Sequence, residues 1–130
     1  MIFFKQYQKK IEMKRIEATI QATKIGAVSD ALNDIVGGFT ILEGKGRGSG
    51  ARQQIRSDQI RSGRGTGSIT AEYNEVATIS IIANEADVEK IATAIADAAF
   101  TGEGGDGIVV VTNVENILNT ASKKNGSEAL

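Results

Sequence analysis

Two glycine-rich segments are the parts of this sequence whose residue types and spacing could do chemistry. Of its 15 glycines, seven lie between Gly44 and Gly67 and four between Gly102 and Gly107. Glycine-rich turns expose backbone N–H groups, and successive N–H groups make concavities that hold phosphate. Gly102-Glu103-Gly104-Gly105-Asp106-Gly107 fits G-x-G-x-x-G literally. The dinucleotide fingerprint follows a strand and opens a helix, whereas this segment follows a helical pattern and opens a strand-like one, so a Rossmann site is rejected. Gly44-Lys45-Gly46 lacks the Ser or Thr that follows lysine in a P-loop. What remains is the general capacity of both turns to cradle phosphate. Both are expected at ends of adjacent central strands, where they could face one ligand.

The first segment also carries charge. Lys45, Arg47, Arg52, Arg56, Arg61 and Arg64 face a single acid, Asp58, giving +5 on the segment and −6 on the rest of a chain whose net charge is −1. Like charges and glycines keep such an insert extended, and an insert of this length inside a compact domain is usually functional. Arginine forks favour anions or an acidic protein surface. No aromatic residue is available there for base stacking, so no nucleic-acid partner is expected. The chain contains no Cys, His, Pro or Trp. That removes disulfides, thiol nucleophiles, Ser-His-Asp triads and ordinary zinc sites. No carboxylate has an evident partner nucleophile, so the chain is read as a non-enzyme without a metal centre.

The elements that must position these turns follow from hydrophobic period. Arg15–Ala22 alternates and predicts a strand. Ile25–Val36 places Ile25, Val28, Ala31, Leu32 and Ile35 on one helical face and stops at Gly37-Gly38. Phe39–Glu43 and Val76–Ala83 predict strands. Asn84 is placed as the cap of a helix running through Phe100, with a stripe of Val88, Ile91, Ala92, Ile95, Ala98 and Ala99. Ile108–Thr112 predicts a fourth strand, and Asn113 a cap for a last helical piece over Val114–Lys123. The order βαββαβ predicts an α+β, ferredoxin-like split βαβ fold in one domain of 130 residues. Apolar residues of both parities in the strands predict that the face without helices is buried by self-association. Residues 1–12 form an N-terminal extension. They lack the apolar run of a signal peptide, and no stretch approaches a membrane span, so a cytoplasmic location is expected.

This order, the Lys14-Arg15-Ile16-Glu17-Ala18 opening, the Gly44-Lys45-Gly46-Arg47-Gly48 run, the Thr101–Gly107 element T-G-E-G-G-D-G and the ending Gly126-Ser127-Glu128-Ala129-Leu130 together resemble the PII signal-transduction proteins. The resemblance covers residues 13–130, with the family's T-loop at about 46–75, and the GlnK-type branch is the nearer. It implies a homotrimer with adenine-nucleotide clefts between subunits, where ADP and ATP compete and 2-oxoglutarate joins through Mg²⁺ in many members. It also implies a T-loop that docks on an ammonium transporter or another nitrogen-metabolism target, which would be the chain's one link to a membrane. Carried onto this sequence, Thr40 and Ile82 fall at adenine-contacting positions. Gly46, Arg47 and Gly48 fall at the T-loop base, and Gly105, Asp106 and Gly107 form the second phosphate-cradling turn. Arg61 and Arg64, then Arg56, are the partner-binding candidates.

The sequence departs from the family at several of these positions. Ile108 replaces the lysine that usually follows G-D-G. Asn119 and Ala121 fall where two phosphate-binding arginines are expected, leaving Lys123 and Lys124 as substitutes. Val76 falls near the usual 2-oxoglutarate lysine, and Ser49–Gly50 replace the loop-base glutamine, with Gln53 or Gln54 as stand-ins. These departures predict weaker ATP binding or a preference for fewer phosphates. They motivate an alternative, a PII-like regulator of carbon or bicarbonate uptake responding to AMP or ADP. The loop has no tyrosine near its tip, Tyr73 lying at its far end, so tyrosine uridylylation is not expected.

Overall fold

A computed structural model describes residues 12–48, 54–55, 69–70 and 72–130. Strand β1 (Met13–Gln21) leads through one turn of 3-10 helix into α1 (Ile25–Leu32), and β2 (Thr40–Gly46) follows. A two-residue ladder of β3 (Gln54–Ile55) and β4 (Ile69–Thr70) lies within the long insert. Then come β5 (Asn74–Asn84), α2 (Val88–Ala99) and β6 (Gly107–Val114). The four long strands form one antiparallel sheet in the order β2-β5-β1-β6. With two helices this is the ferredoxin-like α+β fold that the alternating patterns predict.

Period two explains which face is buried. Ile16, Ala18 and Ile20 of β1 and Ala77, Ile79, Ile81 and Ala83 of β5 point to one side and pack beneath α1 and α2. The helices answer with Val28 and Leu32 from α1 and Ile91, Ile95 and Ala99 from α2. Among the described residues no ionisable group is buried in this core.

The opposite face has no helix over it. Its rows follow from register: Leu42, Thr78, Thr19 and Ile108 lie side by side across the four strands. Thr40, Ser80, Glu17 and Val110 form the next row. Thr19 and Thr78 share a hydroxyl hydrogen bond of 3.0 Å. Leu42 is 67% exposed and Val110 42%.

Four local expectations are corrected. Helix α1 ends at Leu32 rather than Val36, and the N–H groups of Ile35 and Val36 close a turn on the Leu32 carbonyl at 3.0 and 3.1 Å. Asn84 makes no side-chain cap; a 3-10 turn, Glu85–Asp87, precedes α2 instead. Strand β2 continues through Gly44, Lys45 and Gly46, paired with Val76, Glu75 and Asn74, so the start of the first glycine segment is strand rather than turn.

The fourth concerns Val114–Lys123, which is not helical. Asn113 belongs to β6, where Lys14 Nζ donates to its Oδ1. Beyond it, Asn116 Oδ1 accepts from Ile117 and Gly126 N–H at 3.0 and 2.9 Å. Asn119 Oδ1 accepts from Ala121 and Ser122 N–H at 2.9 and 3.0 Å. Asparagine side chains that capture nearby N–H groups compete with the helix for them.

Candidate functional site

The second glycine segment is a turn organised by one carboxylate. Asp106 accepts from Thr101 N–H at 2.7 Å, from Gly102 N–H at 3.3 Å, and from the Thr101 hydroxyl. The same hydroxyl oxygen accepts from Glu103 N–H at 3.2 Å. Gly102, Gly105 and Gly107 have φ of 85°, 93° and 125°, which side-chain-bearing residues rarely adopt. The Thr101 hydroxyl first, then its N–H, hold the Asp106 carboxyl below its ordinary value of 3.8, and partial burial opposes them. Gly102 N–H and the more distant charge of Lys24 add smaller downward pulls.

A carboxyl with a lowered folded value stabilises the fold above its unfolded value and loses that contribution as pH falls through the folded one. Wild-type stability in urea should therefore drop on acidification below about pH 4, and Asp106→Asn should flatten that part of the profile. Urea midpoints measured across acid pH for both proteins check this. Equal acid slopes would contradict it.

Asp106 is thus a positioning residue for the turn, its oxygens engaged with Thr101 and Gly102. Among the described residues the N–H groups of Gly104 and Gly105 are left without a hydrogen-bond partner, while residues 104–105 form a hydrogen-bonded turn that the Asp106 N–H closes. Successive free N–H groups at a glycine turn can hold an anion's oxygen, which makes this turn a candidate anion cradle. Beside it, a pocket of about 220 Å³ opens between the end of α2 and the start of β6, lined by Ile95, Ala99, Phe100, Asp106, Ile108 and Val109 among others. Phe100 and Ile108 are 69% and 66% exposed. A larger hollow, about 520 Å³, is an open strip on the outer face of α2 formed by residues such as Glu89, Lys90 and Asp97, and it touches neither glycine segment.

The first segment presents Gly46, Arg47 and Gly48 at the end of β2. Its two described cations are matched: Lys45 Nζ lies 3.5 Å from the Glu75 carboxylate and Arg47 3.9 Å from that of Glu72. All four side chains are more than half exposed, so each pair contributes at most about 1 kcal/mol. The pairs matter here for local charge.

The two glycine segments are not on adjacent central strands, as their spacing suggests. Strands β2 and β6 are opposite edges of the sheet, about 14 Å apart at three inter-strand spacings. They do share one end of it, since Gly44 pairs with Val76, Val76 with Gln21, and Ile20 with Gly107. Gln21 Nε2 donates to the Gly105 carbonyl at 3.3 Å across that end.

Thr40 and Ile82 lie elsewhere. Thr40 starts β2 and pairs with Ser80, and Ile82, half-buried, pairs with Arg15. Six residue-to-residue steps along the strand separate Thr40 from Gly46, which is about 20 Å. Lys123 and Lys124 are exposed in the segment beyond the Val114 end of β6, in a turn closed by Lys123 N–H on the Asn119 carbonyl at 2.8 Å. Lys123 holds φ 64°, a left-handed conformation. One copy of the chain therefore gathers Gly46–Gly48 and Gly105–Gly107 at one end. Thr40, Ile82 and the two lysines are not brought to that end.

The arginines expected to meet a partner, Arg56, Arg61 and Arg64, lie outside the described residues, as do Ser49, Gly50 and Gln53 and the side chain of Gln54. The N-terminal extension does too, apart from Glu12. Sequence reasoning missed the part of Thr101 as the donor that fixes Asp106. The signal was present as a Thr five residues before an Asp, with glycines at the intervening bends. It also missed Glu72 and Glu75, whose pairing with the loop-base cations depends on the β2–β5 register.

Among the described residues no helix is long and apolar enough to cross a membrane, and no group of three or more His, Cys, Asp or Glu is placed to hold a metal ion.

Comparison with known proteins agrees with this architecture. Residues 13–124 match the family model of nitrogen regulatory protein P-II. The P-II protein of Azospirillum brasilense is 31% identical over 119 residues, covering 91% of this chain and all of that protein. Nitrogen regulatory protein GlnK2 of Haloferax mediterranei is 30% identical, covering 91% of each. The crystal structure of Arabidopsis thaliana PII bound to citrate superposes with a TM-score of 0.69 over 92% of each chain at 22% identity, a likeness of fold. On the family match and the full-length relatives, this chain belongs to the nitrogen regulatory protein P-II family of signalling proteins.

Proposed function

We propose that the chain is a PII-type regulator. On this reading it is a homotrimer that binds an adenine nucleotide (ADP, ATP or AMP) in clefts between subunits and reports it through the insert at about 46–75. The observation that carries the cleft is the division of candidate residues between two ends of the sheet. If Thr40 and Ile82 contact the base while Gly46–Gly48 and Gly105–Gly107 contact phosphate, a single copy cannot supply both, and a neighbouring copy completes the site. The 13–130 domain then acts as a rigid reader of the ligand. The Arg-rich insert, through Arg56, Arg61 and Arg64, is the part that meets a partner such as an ammonium transporter. Function resides in shape and charge, so no catalytic residue is assigned, and the setting is the cytoplasm. The residues that would receive 2-oxoglutarate and Mg²⁺ elsewhere in the family are replaced here by Val76 and Ser49–Gly50, and neither ligand enters the proposal.

The uncovered sheet face supports the trimer. Leu42, Ile108 and Val110 stand on it, with Glu17 the one charged residue in their two rows, and exposed apolar positions of this kind mark association surfaces. Val110→Lys, which alters an exposed position and no core contact, should shift the protein to monomers in sedimentation equilibrium. An unchanged trimer, or a wild-type monomer, would count against the assembly.

Nucleotide binding is tested by thermal shift on the full chain with ADP, ATP and AMP. A ligand that binds only the folded state raises the melting temperature in proportion to its affinity and concentration. At least one nucleotide should do so. No shift with any of them removes the sensing half of the proposal.

A further inference from the structure

We infer, building on the self-association proposed above, that Arg15 and Glu17 select the partner on the open sheet face. The guanidinium of one copy pairs with the carboxylate of the next, so the surface accepts a second copy of this chain and rejects chains with another charge pattern.

The position of the two charges carries the argument. Strand β1 lies inside the sheet, between β5 and β6. Arg15 and Glu17 alternate along it with the buried Ile16 and Ala18, so both stand on the face that no helix covers. Register places Ile82 and Thr112 beside Arg15, and Ser80 and Val110 beside Glu17. None of these neighbours offers an opposite charge. By the same parity, Arg15 and Glu17 are the only charged residues that the four long strands put on this face.

Within one copy the two are poorly matched. Arg15 Nη1 lies 3.9 Å from Glu17 Oε1, too far for a hydrogen bond. Both side chains are about half exposed, and in water such a pair contributes little. Covering the face changes that, because two charges taken out of water without hydrogen bonds strongly disfavour the covered state. The penalty is offset when each charge meets its opposite across the contact, where the planar guanidinium fork bonds a carboxylate at two points.

A cyclic trimer repeats one head-to-tail contact around a closed ring. Each copy brings one cation and one anion, so Arg15 of every copy can face Glu17 of the next with no charge left over. This self-complementarity, set among the apolar Leu42, Ile108 and Val110, commits the face to a second copy. A purely acidic or purely basic partner would satisfy one of the two charges and bury the other alone. Like charges brought together repel, which turns the pair into a device against wrong partners.

The test uses Arg15→Glu, Glu17→Arg and the double exchange Arg15→Glu/Glu17→Arg in the full chain. Both positions are exposed, and neither contributes to the core. In sedimentation equilibrium each single reversal should raise the concentration at which the trimer dissociates by about tenfold or more, and the double exchange should return it close to wild type. The decisive step refolds isotope-labelled wild type together with the double-exchange variant from urea and weighs the trimers by native mass spectrometry. Pairing across copies predicts two separate populations, because a mixed contact sets arginine against arginine or glutamate against glutamate. Mixed trimers in binomial proportion would show that the pair acts within each copy, and would overturn the inference while leaving the assembly standing. Single reversals that dissociate as wild type does would overturn it equally. A wild-type monomer overturns the self-association reading and this inference with it.

Discussion

Gly107→Ala is expected to lose about 3 kcal/mol or more of stability. Gly107 begins β6 opposite Ile20, at φ 125°, and a β-carbon there would sit 1.9 Å from the Thr19 carbonyl oxygen. That is inside covalent-scale overlap with backbone, so no side-chain adjustment relieves it. Either β6 withdraws from β1 or the turn from Thr101 is rebuilt, and both loosen the candidate phosphate cradle. Gly48→Ala is the control: no atom lies within 4 Å of its added carbon, and its φ is ordinary. It should change stability by less than about 1 kcal/mol. Equilibrium urea unfolding of the two variants beside wild type measures the contrast. Comparable stabilities for the two would show that β1 and β6 do not approach as described.

Ile79→Ala is expected to cost about 2–5 kcal/mol. Ile79 is fully buried on β5, the strand flanked by β2 and β1, and pairs with Ile41 on one side and Ala18 on the other. Its side chain belongs to the single cluster that joins the sheet to α1 and α2 through Leu32, Ile91 and Ile95. Truncation removes the transfer energy of three carbons and leaves a cavity between two strands and two helices that the rigid sheet cannot close. Ile82→Ala, three residues along the same strand and half-buried on the other face, should cost clearly less in the free chain. Urea midpoints with unchanged slope separate these losses from any change in the unfolded state.

The sheet and both helices were legible because their signals are local. Alternation in Arg15–Ala22 and Val76–Ala83, and the three-and-four spacing of Ile91, Ile95 and Ala99, place the buried face without reference to the rest of the chain. The core, the βαββαβ order and the apolar residues left on the open face follow from the same pattern. Where an element depends on a distant partner, the sequence is silent. Gly44 and Gly46 read as loop by propensity, yet the β5 strand pairs with them and makes them strand. The requirement for glycine at 107 comes from Thr19, which is 88 positions earlier in the chain. Placing the two glycine segments on opposite sheet edges needs the strand order, which their composition does not encode.

The candidate site divides along the same line. Asp106 and its glycines are recognisable because Thr101 and Asp106 interact within one turn. The last segment misled because Asn116 and Asn119 answer local N–H groups, a choice between turn and helix that hydrophobic period does not register. That Thr40 and Ile82 stand a strand's length from the glycine turns emerges only from the register. It is this separation that makes a second copy of the chain necessary to the proposed cleft.

Native mass spectrometry of the full chain, alone and with ADP, ATP or AMP, tests that central claim most directly, because it counts chains and ligands in one spectrum. The account predicts a trimer that takes up as many as three nucleotides, and Val110→Lys monomers that take up none. A wild-type monomer binding nucleotide on its own would contradict the shared cleft, and a trimer that binds no adenine nucleotide would contradict the sensor.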